Sequence, residues 1–583
     1  MTLRPAADQV RQRVVSAIGD RGSAGRSPLV IADLLASRLL WCLVALAFVA
    51  FRGIAQRSDK LVAGVGDTDD AMRLVQVREF VTHGDWFNLQ ISQMGAPEVL
   101  FSHWSRLLDV PLAILVSLFG LVFSPDTAEL LMRTVWPLLL LAALSGLVVR
   151  EVERQGGAWA TGVVLFLIIS CAAATVQFSP GRIDHHNLQN LCAVGGILLL
   201  LRSLTEPRIG WWAGALLGLG LGVGLEALPL IAVAVGSAAL VAAFDTRLKE
   251  GVWRCCLAMA GAVALCFVVT TPAARWFDVV CDANAMNLVA LVGIGAIAMT
   301  LMMRLAPRSS ALTWIGGLAF GGGLGIAVYV GLEPACTAGP FGLVDPAIKP
   351  IWLDNVVEVR SILDFAETSP AGAMSVLAVV GLGVCARYSF LWERRDSPAV
   401  VAFVITLAAA LYSCIYLKLM PYAVWLAMVP TAVWIARLTS IGNVPAYTVI
   451  IAAAIFASQT VLILIFTVGL GTLFDVAQRP KNTALADAQM CQPQALYQNI
   501  ARLPAGLVAS HVNTGPFIVR NTPHRAVAGP YHRLDKSILA THQLLASAPT
   551  ESRKVFERLG VDYLLLCSSD SKRLSIANKD ALI

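Results

Sequence analysis

Long apolar runs separated by short polar segments dominate the chain and predict membrane-spanning helices. A helix needs about 17 to 25 apolar residues to cross a bilayer, and such runs lie at 37–54, 127–149, 157–177, 187–203, 253–274, 283–304, 312–332, 371–389, 397–416, 420–438 and 445–470. The stretch 210–244 is too long for one span and is interrupted at Leu225-Glu226, which predicts two spans there. The pattern predicts an all-α polytopic membrane protein with about 13 transmembrane helices.

The composition supports this fold class. Hydrophobic residues make up 57% of the 583 residues and charged residues 14%, and the mean hydropathy is +0.70. These values exclude an ordinary soluble domain. The net charge of +6 does not indicate nucleic-acid binding, because the basic residues cluster in short loops, where they set the orientation of the spans. No nucleic-acid partner is therefore predicted.

The orientation follows from the rule that basic loops stay in the cytoplasm. Residues 1–36 are polar and rich in arginine and lack the apolar core of a signal peptide, so they are expected to be a cytoplasmic N-terminal segment. If the apolar run 110–124 crossed the membrane, the basic segment 150–154 would lie outside. We therefore expect 110–124 to form a helix at the outer surface that begins at Pro111, which leaves the other basic loops inside.

This topology divides the chain into a cytoplasmic segment, a transmembrane domain over 37–474 and a periplasmic α/β domain over 475–583. The setting is a bacterial-type inner (plasma) membrane, crossed many times. The external loops are 55–126 and 333–370, with a short external turn at 178–186. All 8 histidines fall in the external segments, at His83, His103, His185, His186, His511, His524, His532 and His542. The polar chemistry is therefore expected at the outer face.

The first acidic motif, Gly66 to Asp70, follows the first apolar run and contains Asp67, Asp69 and Asp70. Like charges this close repel one another, and carboxylates at a membrane surface are costly unless something positive binds them. One interpretation is a catalytic or metal-binding cluster. The other is a helix N-cap, in which Asp67 or Thr68 caps a helix over 69–81 and the remaining acids oppose the helix dipole.

The second motif joins two spans at the outer surface and contains Arg182, Asp184, His185 and His186. Ionisable groups next to lipid are costly without partners, so a functional site is the first interpretation. The spacing of Asp184 and His186 lets both reach one divalent ion, for which a carboxylate and an imidazole are acceptable ligands. The alternative is that Asp184 pairs with Arg182 while the histidines lie at the headgroup level.

Three smaller signals are compatible with the same chemistry. His103 and Trp104 precede Arg106 just before the expected surface helix, where they suit a phosphate or a sugar, although Trp is also a common interfacial anchor. Lys418 lies in a tight external turn, where it either binds a lipid phosphate or extends to the interface. Glu358 lies in the external loop 333–370, which suits closure over a substrate and is equally compatible with an ordinary solvated loop.

Together these features resemble the GT-C class of membrane glycosyltransferases, most of all the catalytic subunit of oligosaccharyltransferase and its bacterial relatives. The resemblance rests on the spacing from Asp69 to Arg78, on the expected surface helix that opens with Pro111, and on the motif Gly181 to His186, in which His186 replaces the second carboxylate. It covers roughly the first 200 residues and the number of spans. The family's Trp-Trp-Asp-Tyr-Gly acceptor motif is not found in the tail, so a protein, a lipid and a polysaccharide all stay open as acceptor.

The resemblance implies a sugar donor on a polyprenyl phosphate or diphosphate, an outward-facing site among membrane lipids, inversion at the anomeric carbon, and a divalent cation such as Mg or Mn. Displacing a polyprenyl phosphate requires a base near the acceptor and positive charge on the leaving phosphate. The catalytic candidates are Asp69, Asp70 and Asp184, with Asp69 preferred as the base; the metal candidates are Asp67, Asp69, Asp184 and His186; the phosphate-binding candidates are Arg106, Arg182 and Lys418; and further substrate contacts are expected from His103, Trp104, His185 and Glu358.

The alternative function is a carrier or flippase for a lipid-linked substrate, with the acids acting as a proton or ion relay. A transporter is expected to hold its ionisable groups near the middle of the bilayer, between repeats. In this chain the charged residues instead collect at one face, and Glu226 is assigned to an outer turn. The enzyme is therefore favoured.

The tail reads as a small mixed α/β domain. Short apolar runs at 506–511 and 561–567 predict strands, and 537–545 and 551–559 predict helices. The polar and aromatic turn 529–533 either touches an acceptor or is a structural turn. Two disulfides fit an oxidising exterior, namely Cys491 with Cys567 and Cys281 with Cys336.

Overall fold

A computed structural model of the chain describes residues 66–305, 310–474 and 491–567, with residues 47, 50, 51, 53–55 and 61–64 before them. The expected cytoplasmic segment 1–36 and most of the first expected span, 37–54, lie outside the described residues. The rest of the chain forms helices joined by short turns, with a few short strands in the first external loop and the tail.

The helices in chain order are α1 Thr68–His83, α2 Arg106–Gly120, α3 Pro125–Ser170, α4 Ala172–Thr175, α5 His186–Ser203, α6 Gly210–Val223, α7 Leu228–Val241, α8 Lys249–Thr270, α9 Met286–Leu305, α10 Ala311–Leu332, α11 Ile348–Ile351, α12 Ile362–Thr368, α13 Pro370–Arg394, α14 Ser397–Ile415, α15 Met420–Ile435, α16 Ala446–Ala457, α17 Gln459–Phe474, α18 Gly515–Asn521, α19 Asp535–Ala546 and α20 Pro549–Leu559. The strands are β1 Gln90–Ile91, β2 Leu100–Phe101, β3 Leu507–Ser510, β4 Arg525–Ala526 and β5 Tyr563–Leu565. Additional 3₁₀ turns connect several of these elements.

Among the described residues, 7 helices are long and apolar enough to cross a membrane, or up to 8 if the bent pair α16 and α17 forms one span. The expected break at Leu225-Glu226 is confirmed, because α6 ends at Val223 and α7 begins at Leu228. Each of these two helices has 14 residues, or about 21 Å at 1.5 Å per residue, which is shorter than the hydrocarbon core. The larger span count expected from the sequence therefore stays a prediction.

Helix α3 combines two expected spans. Its 46 residues correspond to roughly 70 Å at 1.5 Å per residue, about twice the thickness of the hydrocarbon core. Gly157, with φ 69° and ψ −161°, interrupts the helical backbone. Only glycine adopts this conformation readily, because it has no Cβ. The chain thus breaks just after the basic segment 150–154, where a turn between two spans is expected.

Helix α2 differs from its expected start. The helix begins at Arg106 rather than at Pro111, which lies inside it. The physical reason is that Ser105 caps the helix by accepting a hydrogen bond from the backbone N–H of Leu107 at 3.4 Å. Pro111 is the sixth residue of the helix and has no N–H to donate to the carbonyl of Leu107, so it removes one intrahelical hydrogen bond near the start of α2. The position of this helix at the membrane surface stays a prediction.

The tail contains a three-stranded parallel sheet in the order β4-β3-β5. Strands β3 and β5 lie within the two runs expected to be strands, and α19 and α20 cover the two expected helices. The short strand β4 and the seven-residue helix α18 were not expected from the sequence pattern. The division of the chain into a transmembrane and a periplasmic domain stays a prediction.

The tail packs directly on the first external loop. The backbone N–H groups of Gly95 and Ala96 donate to the carbonyls of Ala526 and Val527 at 2.8 and 2.9 Å. One buried apolar cluster contains residues of both segments, including Met72, Trp104, Phe517, Ile518 and Tyr531. The first external loop, which carries the first acidic motif, is therefore held in place by the tail.

Both expected disulfides are present. Cys281 is bonded to Cys336, and Cys491 is bonded to Cys567. The first links the segment between α8 and α9 to the segment after α10, and the second closes the tail. The two bonds join residues that are 55 and 76 positions apart in the chain.

Candidate active site

The N-terminus of α1 carries the first acidic motif. Asp67 is the N-cap, and its carboxylate accepts a hydrogen bond from the backbone N–H of Asp69 at 3.1 Å. Asp69 and Asp70 occupy the first turn, where negative charge is favourable beside the helix dipole. The capping interpretation is therefore correct for Asp67, and it does not exclude chemistry at the two acids that follow.

Arg182 joins the two acidic motifs. Its Nη1 lies 2.5 Å from Asp67 Oδ2 and 3.2 Å from Asp70 Oδ2, and its Nη2 lies 2.6 Å from Asp184 Oδ2. The expected pairing of Asp184 with Arg182 is thus confirmed and extends to two acids of the first motif. One guanidinium in contact with three carboxylates holds segments together that are 115 residues apart in the chain.

Asp70 and Asp69 have different surroundings. Asp70 Oδ1 accepts hydrogen bonds from the backbone N–H groups of Ile183 and Asp184 at 2.7 and 3.0 Å. Burial raises the pKa of Asp70 to about 6, although Arg182 lowers it. The carboxylate of Asp69 makes no hydrogen bond to any residue that the structure describes. Asp70 thus fastens the two motifs together, and Asp69 is the acid left available for a ligand.

His186 has a buried imidazole without a hydrogen-bond partner. Its backbone N–H donates to Asp184 Oδ1 at 2.6 Å where α5 begins. Its ring Nε2 lies 3.8 Å from Asp184 Oδ2 and 3.6 Å from Glu358 Oε1, beyond hydrogen-bonding distance. Within the described chain this buried nitrogen has no partner. A buried nitrogen of this kind requires a partner, and a metal ion is one that imidazole nitrogens bind.

Lys418 completes the far side of the cluster. Its Nζ lies 3.2 Å from Glu226 Oε1 and 3.3 Å from Glu358 Oε2, with 27% of the side chain exposed. His185 Nε2 lies 2.7 Å from the same oxygen of Glu226. The ammonium therefore neutralises two carboxylates at once. Five separate parts of the chain meet here, at the ends of helices and in the loop before α12.

Glu226 is a member of this cluster that the sequence did not assign to the site. It lies in the break between α6 and α7 and also accepts a hydrogen bond from Gln189. The signal for it was an acid that interrupts an otherwise apolar stretch of 35 residues, 210–244. An ionisable group at such a break is more often functional than structural.

Negative charge is in excess in this cluster. The six carboxylates of Asp67, Asp69, Asp70, Asp184, Glu226 and Glu358 surround one guanidinium, one ammonium and the imidazole of His186. Burial lowers the pKa of His186, but Asp184 and Glu358 raise it to about 9. Burial and the carboxylates of Asp67, Asp184 and Glu358 raise the pKa of Asp69 well above its usual range. Burial would also raise the pKa of Asp184, but His186 and Arg182 lower it to about 2. The surroundings therefore shift the pKa values of these two acids in opposite directions although they lie in the same site.

The residues present fit a divalent cation. Asp184, His185 and His186 each offer a ligand atom, and these atoms lie within 4.8 Å of one another. Asp69 lies near enough to this group for the charges of Asp184 and His186 to act on its carboxylate. A cation would neutralise the excess negative charge, give the buried nitrogen of His186 a partner and favour the ionised form of Asp69. Asp67 is less available, because Arg182 and the N–H of Asp69 already occupy its oxygens.

Three residues just before or at the start of α2, His103, Trp104 and Arg106, were expected to contact the substrate, and each has different neighbours. Trp104 is buried, with its ring 6.3 Å from that of His185 and the guanidinium of Arg73 over its face. His103 packs against the rings of Trp104 and His532, with ring centroids 5.5 and 4.6 Å away. The guanidinium of Arg106 is occupied, since it donates to Asp109 and to three backbone carbonyls. Its assignment to the donor phosphate stays a prediction.

Tyr531 is a further residue of the site region that the sequence did not identify. Its hydroxyl donates to the backbone carbonyl of Thr68 at 3.0 Å, at the start of α1, and its ring packs edge-on against Trp104. The expected turn 529–533 is therefore in contact with the first acidic motif rather than exposed. The Gly-Pro-Tyr sequence was visible, but its long-range partner was not.

The fold is similar to that of a known glycosyltransferase. Archaeal oligosaccharyltransferase AglB from Archaeoglobus fulgidus, in complex with an inhibitory peptide and a dolichol-phosphate, has 13% sequence identity and a TM-score of 0.63 over 93% of this chain and 71% of that chain. The apo form of the oligosaccharyltransferase of the same organism has 12% identity and a TM-score of 0.58 over 90% of this chain and 69% of that chain. These two comparisons confirm the GT-C fold expected from the sequence.

Other comparisons add less. ArnT from Cupriavidus metallidurans bound to undecaprenyl phosphate has 13% identity over 93% of this chain and 94% of that chain, with a TM-score of 0.40, which is too low to support a conclusion. No protein-family model matches the chain, and no curated protein sequence matches it.

Proposed function

We propose that this protein is a membrane glycosyltransferase. It moves a sugar or oligosaccharide from a polyprenyl phosphate or diphosphate to an acceptor at the outer face of the membrane. The observation that carries the proposal is the meeting of two acidic motifs at Arg182, with Asp69 and the Nε2 of His186 both left without a hydrogen bond to a described residue. An overall fold like that of AglB, a lipid-linked-donor glycosyltransferase, supports the same reaction class.

The reaction forms a bond from an acceptor atom to the anomeric carbon and breaks the bond from that carbon to the phosphate oxygen. Asp69 takes the acceptor proton or orients the acceptor, because it is the acid of the first motif that is not fastened to the protein. Its raised pKa suits a group that accepts a proton during the reaction. The leaving phosphate carries away the electron pair, and direct displacement from the opposite side inverts the anomeric carbon.

Lys418 is the cation best suited to the leaving phosphate. Arg182 is largely buried and in contact with three carboxylates, whereas Lys418 retains 27% exposure of its side chain. A phosphate that approaches Lys418 can displace Glu358, which lies in a surface loop. The ammonium then stabilises the charge that develops as the bond to phosphate breaks.

A divalent cation such as Mg or Mn would be held by Asp69, Asp184 and His186. When bound, it would supply Lewis-acid stabilisation of phosphate oxygens. Glu358 and His185 lie next to these groups and would complete the polar surroundings. The residues of the chain then exclude water, orient the donor and accept the proton.

The second candidate function is a carrier or flippase for a lipid-linked substrate. The observation in its favour is that Glu226 and Lys418 lie among helices of the apolar bundle rather than in a solvated loop. The observation against it is that the ionisable groups form one cluster, with most members at helix ends and in external loops. The orientation in the membrane and the inner-membrane location belong to this proposal as well.

The test is sugar transfer from a panel of radiolabelled polyprenyl-phosphate and polyprenyl-diphosphate sugars into membranes that contain the wild type or Lys418→Met, with and without a chelator. We expect transfer from one donor class, a loss of at least tenfold in Lys418→Met, and chelator sensitivity. Reconstituted proteoliposomes provide the second measurement. Movement of the lipid-linked sugar across the bilayer without transfer would contradict the enzyme and support the carrier.

A further inference from the structure

A second group of metal-binding side chains lies outside the acidic cluster. It is formed by His103 from the first external loop, Asp282 from the segment between α8 and α9, and His532 from the tail. Each offers one ligand atom, and these atoms all lie within 4.8 Å of one another. We propose that His103, Asp282 and His532 bind a zinc ion.

The distances are close to those that zinc requires. His532 Nε2 lies 2.6 Å from Asp282 Oδ2, and the rings of His103 and His532 have centroids 4.6 Å apart. Zinc bonds to nitrogen and oxygen are about 2.0 to 2.2 Å, so two ligand atoms on a tetrahedral ion are about 3.3 Å apart. Since the ligand atoms lie within 4.8 Å of one another, changes of up to about 1.5 Å in their separations bring them to this spacing.

Binding replaces a proton with the metal. Without zinc, the N–H at Nε2 of His532 donates to Asp282. On binding, that proton leaves Nε2, either to Nδ1 of the same ring or, when Nδ1 is already protonated, to solvent, so that the neutral imidazole gives its Nε2 lone pair to zinc. Asp282 gives the oxygen lone pair that had accepted the hydrogen bond. Among the described residues the nitrogens of His103 have no hydrogen-bond partner, so its imidazole gives up no bond when it joins the ion.

Arg533 positions the carboxylate. Its Nε and Nη2 donate to the two oxygens of Asp282 at 2.7 Å each. A carboxylate offers about four lone-pair sites, so this pair leaves sites for the metal. Hydrogen bonds of this kind to a metal-binding carboxylate fix its orientation, and their loss typically weakens metal affinity 10- to 100-fold.

The site is partly built before the metal arrives. Asp282 follows Cys281, which the disulfide to Cys336 holds in place. The side chains of Asp282 and His532 are 8% and 11% exposed, and Phe341 packs edge-on against the ring of His532. Little conformational freedom is lost on binding, which favours affinity.

The ligand set favours zinc over the hard cations. Two imidazoles with one carboxylate are typical of zinc sites that keep an open fourth position, whereas Mg²⁺ and Ca²⁺ prefer oxygen ligands. His103 also lines a cavity of about 90 Å³ together with Arg275, Asn284 and Arg533. That cavity leaves room for water or an anion at the fourth position.

The experiment measures bound zinc in the purified full-length protein, after loading with zinc chloride and removal of free metal. We expect His532→Ala and His103→Ala each to lower the zinc content by one ion per chain. The matched control is His542→Ala, an exposed histidine of the same tail, which leaves the content unchanged. His186→Ala reports separately on zinc held by the acidic cluster.

A milder substitution, which keeps all three ligands, tests the proposal even if the alanine variants do not fold. Arg533→Lys keeps a positive charge and all three ligands, and we expect its zinc dissociation constant to rise about 10- to 100-fold in competition with a chelator. A wild type that retains no zinc beyond that lost in His186→Ala would overturn the proposal. Wild-type affinity in Arg533→Lys together with unchanged content in His103→Ala would also overturn it. The readout is metal content, so it is independent of any sugar-transfer activity.

Discussion

At the scale of single residues, Arg182 has the most central position in the site. It contacts three carboxylates, of which two belong to the first acidic motif and one to the second. A guanidinium can do this because it presents five donors in a fixed plane, whereas an ammonium cannot reach all three partners in one geometry. Arg182 therefore sets the distance between Asp69 and the groups at 184–186.

Replacing Arg182 with lysine tests this role. We expect Arg182→Lys to lower sugar transfer about 10- to 100-fold, the size of effect seen when a group that orients metal ligands is lost. The control is Arg247→Lys, since Arg247 pairs with Asp245 with 82% of its side chain exposed and such pairs contribute little. Equal transfer rates in the two variants would show that Arg182 does not position the site.

The local part of this arrangement was predictable from the sequence, and the long-range part was not. A cap at Asp67 or Thr68 and a pair between Asp184 and Arg182 were both among the alternatives that the sequence offered, because each follows from residues a few positions apart. The bond from Asp70 to the backbone of Ile183, and the contact of Lys418 with Glu226, depend on how distant helices pack. No pattern along the chain encodes that packing, so only the structure shows that Glu226 belongs to the site.

At the scale of elements, Gly157 interrupts what is otherwise one helix. Spans were expected at 127–149 and 157–177. Helix α3 covers the first run and ends at Ser170 within the second, so two separate spans here stay a prediction. The structure shows what interrupts the helix: a single glycine inside α3 has a non-helical backbone, with φ 69° and ψ −161°. Non-glycine residues reach this region of backbone conformation only at a cost of about 1 to 3 kcal/mol.

The free-energy cost of this backbone conformation for a residue other than glycine can be measured with Gly157→Ala. We expect this variant to lose about 1 to 3 kcal/mol of unfolding free energy in detergent, from backbone strain alone, since a Cβ at Gly157 meets no atom within 4 Å. Gly146→Ala is the matched control, because Gly146 lies in the same helix with equally open space. It should be unchanged or gain about 0.5 to 1 kcal/mol. Similar values for both variants would contradict the kink at Gly157.

At the scale of the whole molecule, the tail and the first external loop form one unit. Backbone hydrogen bonds join Gly95 and Ala96 to the tail, and Tyr531 reaches the carbonyl of Thr68 at the start of α1. The strands β3 and β5 and both long helices of the tail were predictable from apolar periodicity. Their attachment to the loop was not, because it depends on pairing between segments more than 400 residues apart.

Removing one hydroxyl tests whether this attachment matters for activity. Tyr531→Phe leaves the ring against Trp104 but removes the bond to Thr68, so we expect a loss of about 1 kcal/mol in stability and a lower turnover rate, because the start of α1 is less well fixed. Tyr563→Phe removes a similar bond, to the carbonyl of Pro504 within the tail. It should lose comparable stability and keep its turnover. Equal turnover in both variants would show that the attachment of the tail to α1 through Tyr531 does not affect catalysis.

The central claim is that Asp69 acts in glycosyl transfer. The most direct measurement is the rate of sugar transfer from the preferred polyprenyl-linked donor in wild type, Asp69→Asn and Asp354→Asn, at equal amounts of folded protein in the membrane. Asp354 is an exposed acid of the loop 333–370. The account predicts a loss of at least about 100-fold in Asp69→Asn, the scale of a lost general base, and an unchanged rate in Asp354→Asn. Wild-type transfer by Asp69→Asn would contradict it.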